Sequence, residues 1–336
     1  MLRMGTPDYR RPGITRVITF VSDRGYVGQA LIAASQLAAQ PDVVAIADII
    51  IYLIDIPPDE QVEIQAALGS AHFNFMFLDS RRFLTDSADR LPEIHCPRST
   101  LGRLVVDAEI PAQYDTVIYM DGDIQIIGPV APLIARECED GMVYAGIDRL
   151  DNGGRYANPP SYLQGIGIAH VSQYFNAGIM MANRATWRRV TEKALRFLAE
   201  NPERCKHLDQ SALNAVVGPH RRILSPEYNY TTWFRHADRR RQITPRIIHF
   251  TGPLKPWNTT KGPWNPKCRQ VYVDFLAQYP YFSRYLTIDT SRDVDPKYAQ
   301  PTLSLRARYW MKKVKQAAEH QWHSLLLGRF LNNARF

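Results

Sequence analysis

The chain has 336 residues, 45% of them hydrophobic, an ordinary globular composition with enough apolar mass for one large domain or two small ones. Cys96, Cys138, Cys205 and Cys268 are far apart and form no CxxC pair, which fits reduced cytosolic thiols and not a disulfide framework. The formal charge of +8 sits mostly at one end: from Pro301 onward seven Lys or Arg face one acid, so an anionic partner is expected of that segment and not of the whole molecule.

Residues 1–15 read as a loose leader with arginines and prolines but no apolar core, so no secretory signal is seen. From Arg16, VITFV reads as a short buried strand, SDRGYVGQ as a polar loop, and ALIAASQLAAQ as a helix with small and apolar residues at helical spacing. That order opens a nucleotide-binding half-sheet, but without GxGxxG it does not indicate a dinucleotide. Asp23 suits accepting from a base edge and Tyr26 stacking on a planar ring; equally, Asp23 suits capping the helix and Tyr26 packing beside it.

A second strand, Asp48 to Ile56, closes at Pro57-Pro58. Val43 to Ile56 is the longest apolar run, and it is broken by Asp48 and Asp55 and too short to span a bilayer. A helix is expected over 59–69, a third strand over 72–78, and a mobile loop near the site over 79–94. STLGRLVVDAEIP suits a helix ending before Pro111, with Arg103 on it as a two-point holder of a phosphate or carboxylate, if it does not simply face water.

The stretch YMDGDIQII, residues 119–127, organises the rest. Val117 to Met120 reads as a strand buried on both faces, and Asp121 and Asp123 follow at its carboxyl end, the edge where open α/β sheets bind ligands. Gly122 leaves the backbone free to turn both carboxylates toward one hard divalent cation, such as Mg²⁺ or Mn²⁺ beside a substrate phosphate. Asp-Gly is also a common surface turn, so the motif alone leaves both readings open.

Pro132 to Glu139 reads as helix and MVYAGID (142–148) as strand, with Gly146 and Asp148 at its end. Residues 149–172, rich in Gly, Pro, Asn and Tyr, exceed an ordinary connection and suit an acceptor-binding lid. YFNAGIMMAN is a strand entered at a corner where Gly178 permits close backbone approach. A helix over Thr186 to Glu200 is expected to bury Trp187, Val190, Ala194, Leu195 and Leu198. Asp209 suits the N-cap of the helix SALNAVV. RIIHF is a short strand that brings His249 to its end, where one imidazole nitrogen can complete a metal site, and TGPLKPW after it is a stiff loop carrying Lys255. Residues 269–288 read as helical with a break at Pro280, and 289–301 as a linker.

Taken together and in order, SDRGYV, GRLVV, VIYMDGD, YFNAGIMM, HLDQSALN and IIHFTGPLKPW resemble glycosyltransferase family 8, over about residues 16–268. The resemblance implies an α/β fold of the GT-A nucleotide-sugar, Rossmann-like kind with a mixed, mostly parallel central sheet. It also implies a divalent metal, usually Mn²⁺, a UDP-sugar donor, and transfer with retained anomeric configuration. By that resemblance Asp121, Asp123 and His249 are metal ligands, and Val21, Asp23, Tyr26, Asp121, Gly122, Gly252 and Lys255 contact the nucleotide. Arg103, Asn176, Asp209 and Gln210 hold the donor sugar, with Asp209 and Gln210 nearest the chemistry. One departure concerns the nucleotide loop: the family often has an asparagine before the tyrosine, and here Gly25 stands there.

The expected organisation is a leader (1–15), a catalytic domain (16–288), and a linker with a basic, helical tail (289–336). That tail mixes basic residues with Tyr309, Trp310, Trp322, Leu325 to Leu327 and Phe330. It suits lying on an anionic bilayer; packing on the catalytic domain, or on another subunit of an oligomer, is the alternative. Nucleic acid is not expected, since no binding motif accompanies the charge. The expectation is a metal-dependent hexosyltransferase of the cytoplasm, peripheral on the inner face of the membrane, acting on a glycan or lipid-linked acceptor of bacterial surface polysaccharide. The alternatives are a transferase with a small polyol acceptor and a catalytically silent sugar-nucleotide-binding scaffold.

Overall fold

The computed structural model describes residues 11–68, 73–82, 101–150, 158–238, 240–260, 263–294, 318 and 321–334. Seven strands form one sheet: β1 (Arg16–Ser22), β2 (Asp48–Ile54), β3 (Asn74–Leu78), β4 (Thr116–Met120), β6 (Val143–Ile147), β7 (Phe175–Asn183) and β8 (Arg221–Ile223). Their order is β3-β2-β1-β4-β7-β6-β8, and β5 (Ile124–Ile126) pairs separately with β9 (Ile247–His249). β3, β2, β1 and β4 run parallel, β7 runs against both β4 and β6, and β8 is parallel to β6.

This sheet is mixed and mostly parallel because its strands are apolar on both faces. Along β4, Ile118 and Met120 enter one core and Val117 and Tyr119 the other; along β2, Ile49, Ile51 and Leu53 alternate in the same way with Ile50, Tyr52 and Ile54. The helices Val27–Ala38 and Pro266–Gln278 cover the first face, and Arg184–Glu200 and Leu208–Val217 cover the second. Asp48 is tolerated at the head of β2 because Arg11 Nε and the Tyr114 hydroxyl bond its carboxylate at 2.6 and 2.7 Å.

Several boundaries depart from expectation for local reasons. The helix expected from Pro132 to Glu139 covers only Ala131–Ile134, and the Arg16 guanidinium takes the carbonyls of Ile134 and Arg136 at its end. The helix expected from Thr186 starts at Arg184, because the Asn183 side chain accepts from Thr186 N at 2.8 Å. On it Trp187, Val190, Ala194 and Leu198 are buried, while Leu195 is only partly so. The helix expected before Pro111 is an α turn, Gly102–Val105, followed by a 3₁₀ turn, Val106–Glu109. Most of the expected loop over 79–94, the early part of the expected lid (residues 151–157) and Cys96 lie outside the described residues. Cys138, Cys205 and Cys268 are free thiols.

Residues 321–333 are helical. Leu327 is fully buried, Phe330 and Leu331 pack on the first core, and His323 lies 5.6 Å from the Trp233 ring. On the same helix Trp322 and Leu325 are 52% and 53% exposed. The stretch 301–317, which carries most of the tail's basic residues, lies outside the described residues. Among the described residues no helix is long and apolar enough to cross a membrane.

Candidate functional site

The strand directions bring distant residues to one rim. β4 and β6 end there, and β7, running the other way, begins there. Asp121 N donates to Gly178 O at 2.8 Å, so the first acid is tied to the start of β7. Phe250 N donates to Asp123 O at 2.9 Å, and the pairing of Ile124 with His249 delivers the imidazole beside the second acid.

His249 Nε2 lies 3.2 Å from Asp123 Oδ1 and 3.7 Å from Asp121 Oδ2. One ligand atom from each of Asp121, Asp123 and His249 falls within 4.8 Å of the others. Gly178 is required by this closeness: a Cβ there would stand 2.2 Å from His249 Cε1 and 2.8 Å from Asp121 Oδ2. The Asp-Gly-Asp stretch is thus not a surface turn. Gly122 is buried, and a Cβ on it would meet Ser22 Oγ at 3.2 Å. Ser22 Oγ itself is buried with no hydrogen-bond partner among the described residues.

Two cations flank the acids. Lys255 Nζ reaches Asp123 Oδ2 at 2.5 Å and also bonds Phe250 O. The Arg103 guanidinium is buried over the Tyr119 ring and donates to Asp121 Oδ1 (2.8 Å) and Ala177 O (2.6 Å), and its Nε forms an ion pair with Asp209 Oδ2 at 2.8 Å. It does not face water. Burial favours the neutral acid at Asp123, but Lys255 and His249 outweigh it and hold that carboxyl far below its usual range. Burial likewise opposes the charges on Lys255 and Arg103, and the facing carboxylates more than compensate, raising both pKa values. Asp121, Asp123 and Asp209 against Arg103 and Lys255 leave one uncompensated negative charge within this set. Two carboxylate oxygens and one imidazole nitrogen are donors a divalent ion such as Mn²⁺ accepts.

The sugar-side residues lie along the start of β7. Asn176 Oδ1 accepts from Gly178 N at 3.1 Å, and its Nδ2 reaches Asp148 Oδ1 (3.4 Å) and Gln210 Oε1 (3.3 Å). Gln210 Oε1 also accepts from Ala177 N at 3.0 Å, which turns the side-chain carbonyl toward the β7 backbone. Asp209 is in the first turn of its helix and not at the N-cap; His207 holds the cap position, and the Asp209 carboxylate pairs with Arg103.

At the nucleotide end, the Asp23 side chain accepts from Gly25 N at 2.8 Å and does not cap the helix, whose cap position is Tyr26. Tyr26 stands edge-on to Trp257 at 6.1 Å, and burial raises its pKa. Val21 is buried in β1 and packs where Gly102 leaves room, since a Cβ on Gly102 would lie 2.4 Å from Val21 Cγ1. Gly252 takes φ +86°, which turns the chain after His249 toward Lys255.

Three participants escaped the sequence reading. The Tyr119 hydroxyl donates to Asp121 Oδ1 at 2.8 Å, although period and hydropathy mark Tyr119 as plain strand core. Trp257 walls Tyr26. Asn229 is fully buried with its Oδ1 3.0 Å from His249 Nδ1, and the only hint was an amide set between two tyrosines in YNY.

The profile of the family described as Glycosyl transferase family 8 matches residues 17–261. General stress protein A of Bacillus subtilis is 27% identical over 179 residues, 48% of this chain and 58% of that protein. A lipopolysaccharide 1,2-glucosyltransferase of Escherichia coli is 29% identical over 177 residues, 48% of this chain and 50% of its own length. The chain therefore spans little more than half the length of these curated relatives. Among solved structures, the galactosyltransferase LgtC in complex with donor and acceptor sugar analogs superposes with a TM-score of 0.62 at 22% identity, over 87% of this chain and 99% of that one, a likeness of fold.

Proposed function

Since this chain belongs to glycosyl transferase family 8, we propose that it moves a hexose, glucose or galactose, from a UDP-sugar to a glycan or lipid-linked acceptor of bacterial surface polysaccharide, with retention of configuration. The convergence of Asp121, Asp123 and His249 at the rim of the sheet, with Lys255 on Asp123, carries this reading. Hexose is supported by the likeness to the Escherichia coli lipopolysaccharide 1,2-glucosyltransferase. The working unit is residues 16–288, with 289–336 as a linker and basic tail.

Asp121, Asp123 and His249 would hold a divalent cation, Mn²⁺ by the donor set and Mg²⁺ as a substitute. When bound, such an ion neutralises charge on a departing diphosphate. Lys255 serves the same end: it stands buried against Asp123 and can shift its ammonium to a phosphate oxygen, and Gly252, with open space beside its Cα, would contact the diphosphate through its backbone. Val21, Asp23, Tyr26 and Gly122 would line the nucleotide. Arg103 would act largely by fixing Asp121 in the cation site and Asp209, which in turn meets the donor sugar together with Asn176 and Gln210. Gln210 is a neutral amide and a poor nucleophile, so the acceptor hydroxyl attacks the face the diphosphate leaves, and a phosphate oxygen takes its proton.

The exposed Trp322 and Leu325 on the tail helix, together with the basic residues before it, support seating on the anionic inner face of the cytoplasmic membrane. The function is tested by incubating the protein with a panel of UDP-sugars and following Mn²⁺-dependent UDP release. Release from UDP-glucose or UDP-galactose that quickens with acceptor is expected; no release from any donor would overturn the proposal.

A further inference from the structure

A second polar chain runs behind the acids, and Asn229 is its middle link. Asn229 Nδ2 donates to Asn176 Oδ1 at 3.0 Å, and Asn229 Oδ1 faces His249 Nδ1 at 3.0 Å. The orientation of both amides follows from one donor that has no alternative. The backbone N–H of Gly178 points at Asn176, so the atom it meets is the oxygen. Asn229 must then present its NH₂ to that oxygen and its own oxygen to the imidazole. A carbonyl oxygen only accepts, so His249 Nδ1 carries a proton whether or not Nε2 carries one, and Nε2 is the nitrogen left for Asp121, Asp123 and a shared cation.

The surroundings are shaped to this amide. A Cβ on Gly146 in β6 would stand 3.0 Å from Asn229 Nδ2 and 3.1 Å from its Cβ, so that position is kept bare. His249 N donates to Tyr230 O at 3.1 Å, which locks the residue after Asn229 to β9. Through Asn176 the chain continues to Gln210 Oε1 at 3.3 Å.

We infer that Asn229 is a positioning residue that holds His249 through Nδ1–H and ties the orientation of that imidazole to the Asn176–Gln210 side of the site. The inference rests on the proposed cation site only for its consequence; the proton on Nδ1 follows from the hydrogen bonds. An imidazole buried between an accepting amide and two carboxylates is presented edge-on, and loss of such a partner typically weakens metal binding by about tenfold to a hundredfold.

The test combines ¹⁵N–¹H spectra of the His249 ring in the metal-free protein, at about pH 9 and above the ordinary histidine range, with Mn²⁺ titration. The wild type should show a slowly exchanging proton on Nδ1; a bare Nδ1 overturns the inference. Asn229→Ala should lose that protection and bind Mn²⁺ about ten- to a hundredfold more weakly. Asn229→Asp keeps an oxygen toward Nδ1–H but sets its other oxygen against Asn176 Oδ1, so it should recover part of the affinity. Equal Mn²⁺ affinity in wild type and Asn229→Ala, or an aspartate variant no better than the alanine one, also overturns it. If Asn229→Ala does not fold, the wild-type spectrum and the aspartate variant decide. Absence of Mn²⁺ binding by the wild type would remove the cation reading and leave the Nδ1 result standing by itself.

Discussion

Arg103 Nε stands 2.8 Å from Asp209 Oδ2, joining a short helix before β4 to the helix Leu208–Val217 after β7. The same guanidinium bonds Asp121, so one planar group sets the spacing between an acid of the proposed cation site and an acid of the proposed sugar site. Lysine has a single nitrogen and cannot span both. Arg103→Lys should lower kcat/KM by more than about tenfold, equivalent to about 1.4 kcal/mol, with a lower melting temperature because Asp209 is buried without its partner. Steady-state kinetics with unchanged constants would show that the bridge is dispensable.

Asp123 should answer differently to two replacements. Asp123→Asn keeps shape and an oxygen toward Lys255, so the protein should fold while Mn²⁺-dependent turnover falls about a thousandfold or more, about 4 kcal/mol. Asp123→Ala should lose turnover as well, and also leave the Lys255 ammonium buried without its carboxylate, at about 3 kcal/mol of stability. Denaturant titration separates the two; equal stability would mean Lys255 finds water when Asp123 is removed.

Gly178→Ala places a methyl group where the His249 ring lies, on a strand locked on both edges. Strand and imidazole cannot both keep their positions. The expected result is a loss of about 1–3 kcal/mol and weaker Mn²⁺ binding, read by thermal melting and by titration with the metal. Native Mn²⁺ affinity in this variant would contradict the packing described for the site.

The Lys255–Asp123 pair sets a pH dependence whose sign follows from the two shifts. Lys255 has a folded pKa above its ordinary value of 10.5, so its contribution is complete below that pH and disappears as pH rises through the folded value. Asp123 has a folded pKa below its ordinary 3.8, so its contribution is present above that pH and disappears on acidification. The stability difference between wild type and Lys255→Met should therefore be flat from about pH 5 to pH 10 and narrow above it. A difference that grows in alkali would reverse the assignment.

The tail helix offers a clean separation of packing from membrane docking. Leu327→Ala should cost about 2–5 kcal/mol, since Leu327 is fully buried. Replacing exposed Trp322 and Leu325 with serine should leave melting unchanged and reduce sedimentation with anionic vesicles. Vesicle binding untouched by both serines would place the tail's role in packing alone.

The sheet was legible in the sequence because its strands are buried on both faces, and continuous apolar runs such as DIIIYLI have few other fates. Asp121 and Asp123 were legible because they close such a run. Other features depended on contacts that no local pattern encodes. The shortened helix after β5 reflects Arg16, more than a hundred residues earlier. Asp209 carries every mark of a cap and is instead drawn to Arg103. Asn229 matters only because β9 brings His249 alongside it. Propensity and period describe what a segment can do by itself, and these three are decided by what arrives next to them.

The reversal of β7 has a practical meaning. Because β6 ends and β7 begins at the rim that holds Asp121, both ends of the connection between them lie at that rim. A segment exchange across residues 149–172 would leave both ends anchored in unaltered strands, provided the incoming segment replaces the buried Leu163, Ile166, Ile168 and Val171 with apolar residues of like volume. Chimaeras joined at those two strand ends would ask whether this connection governs recipient choice apart from the grip on the donor.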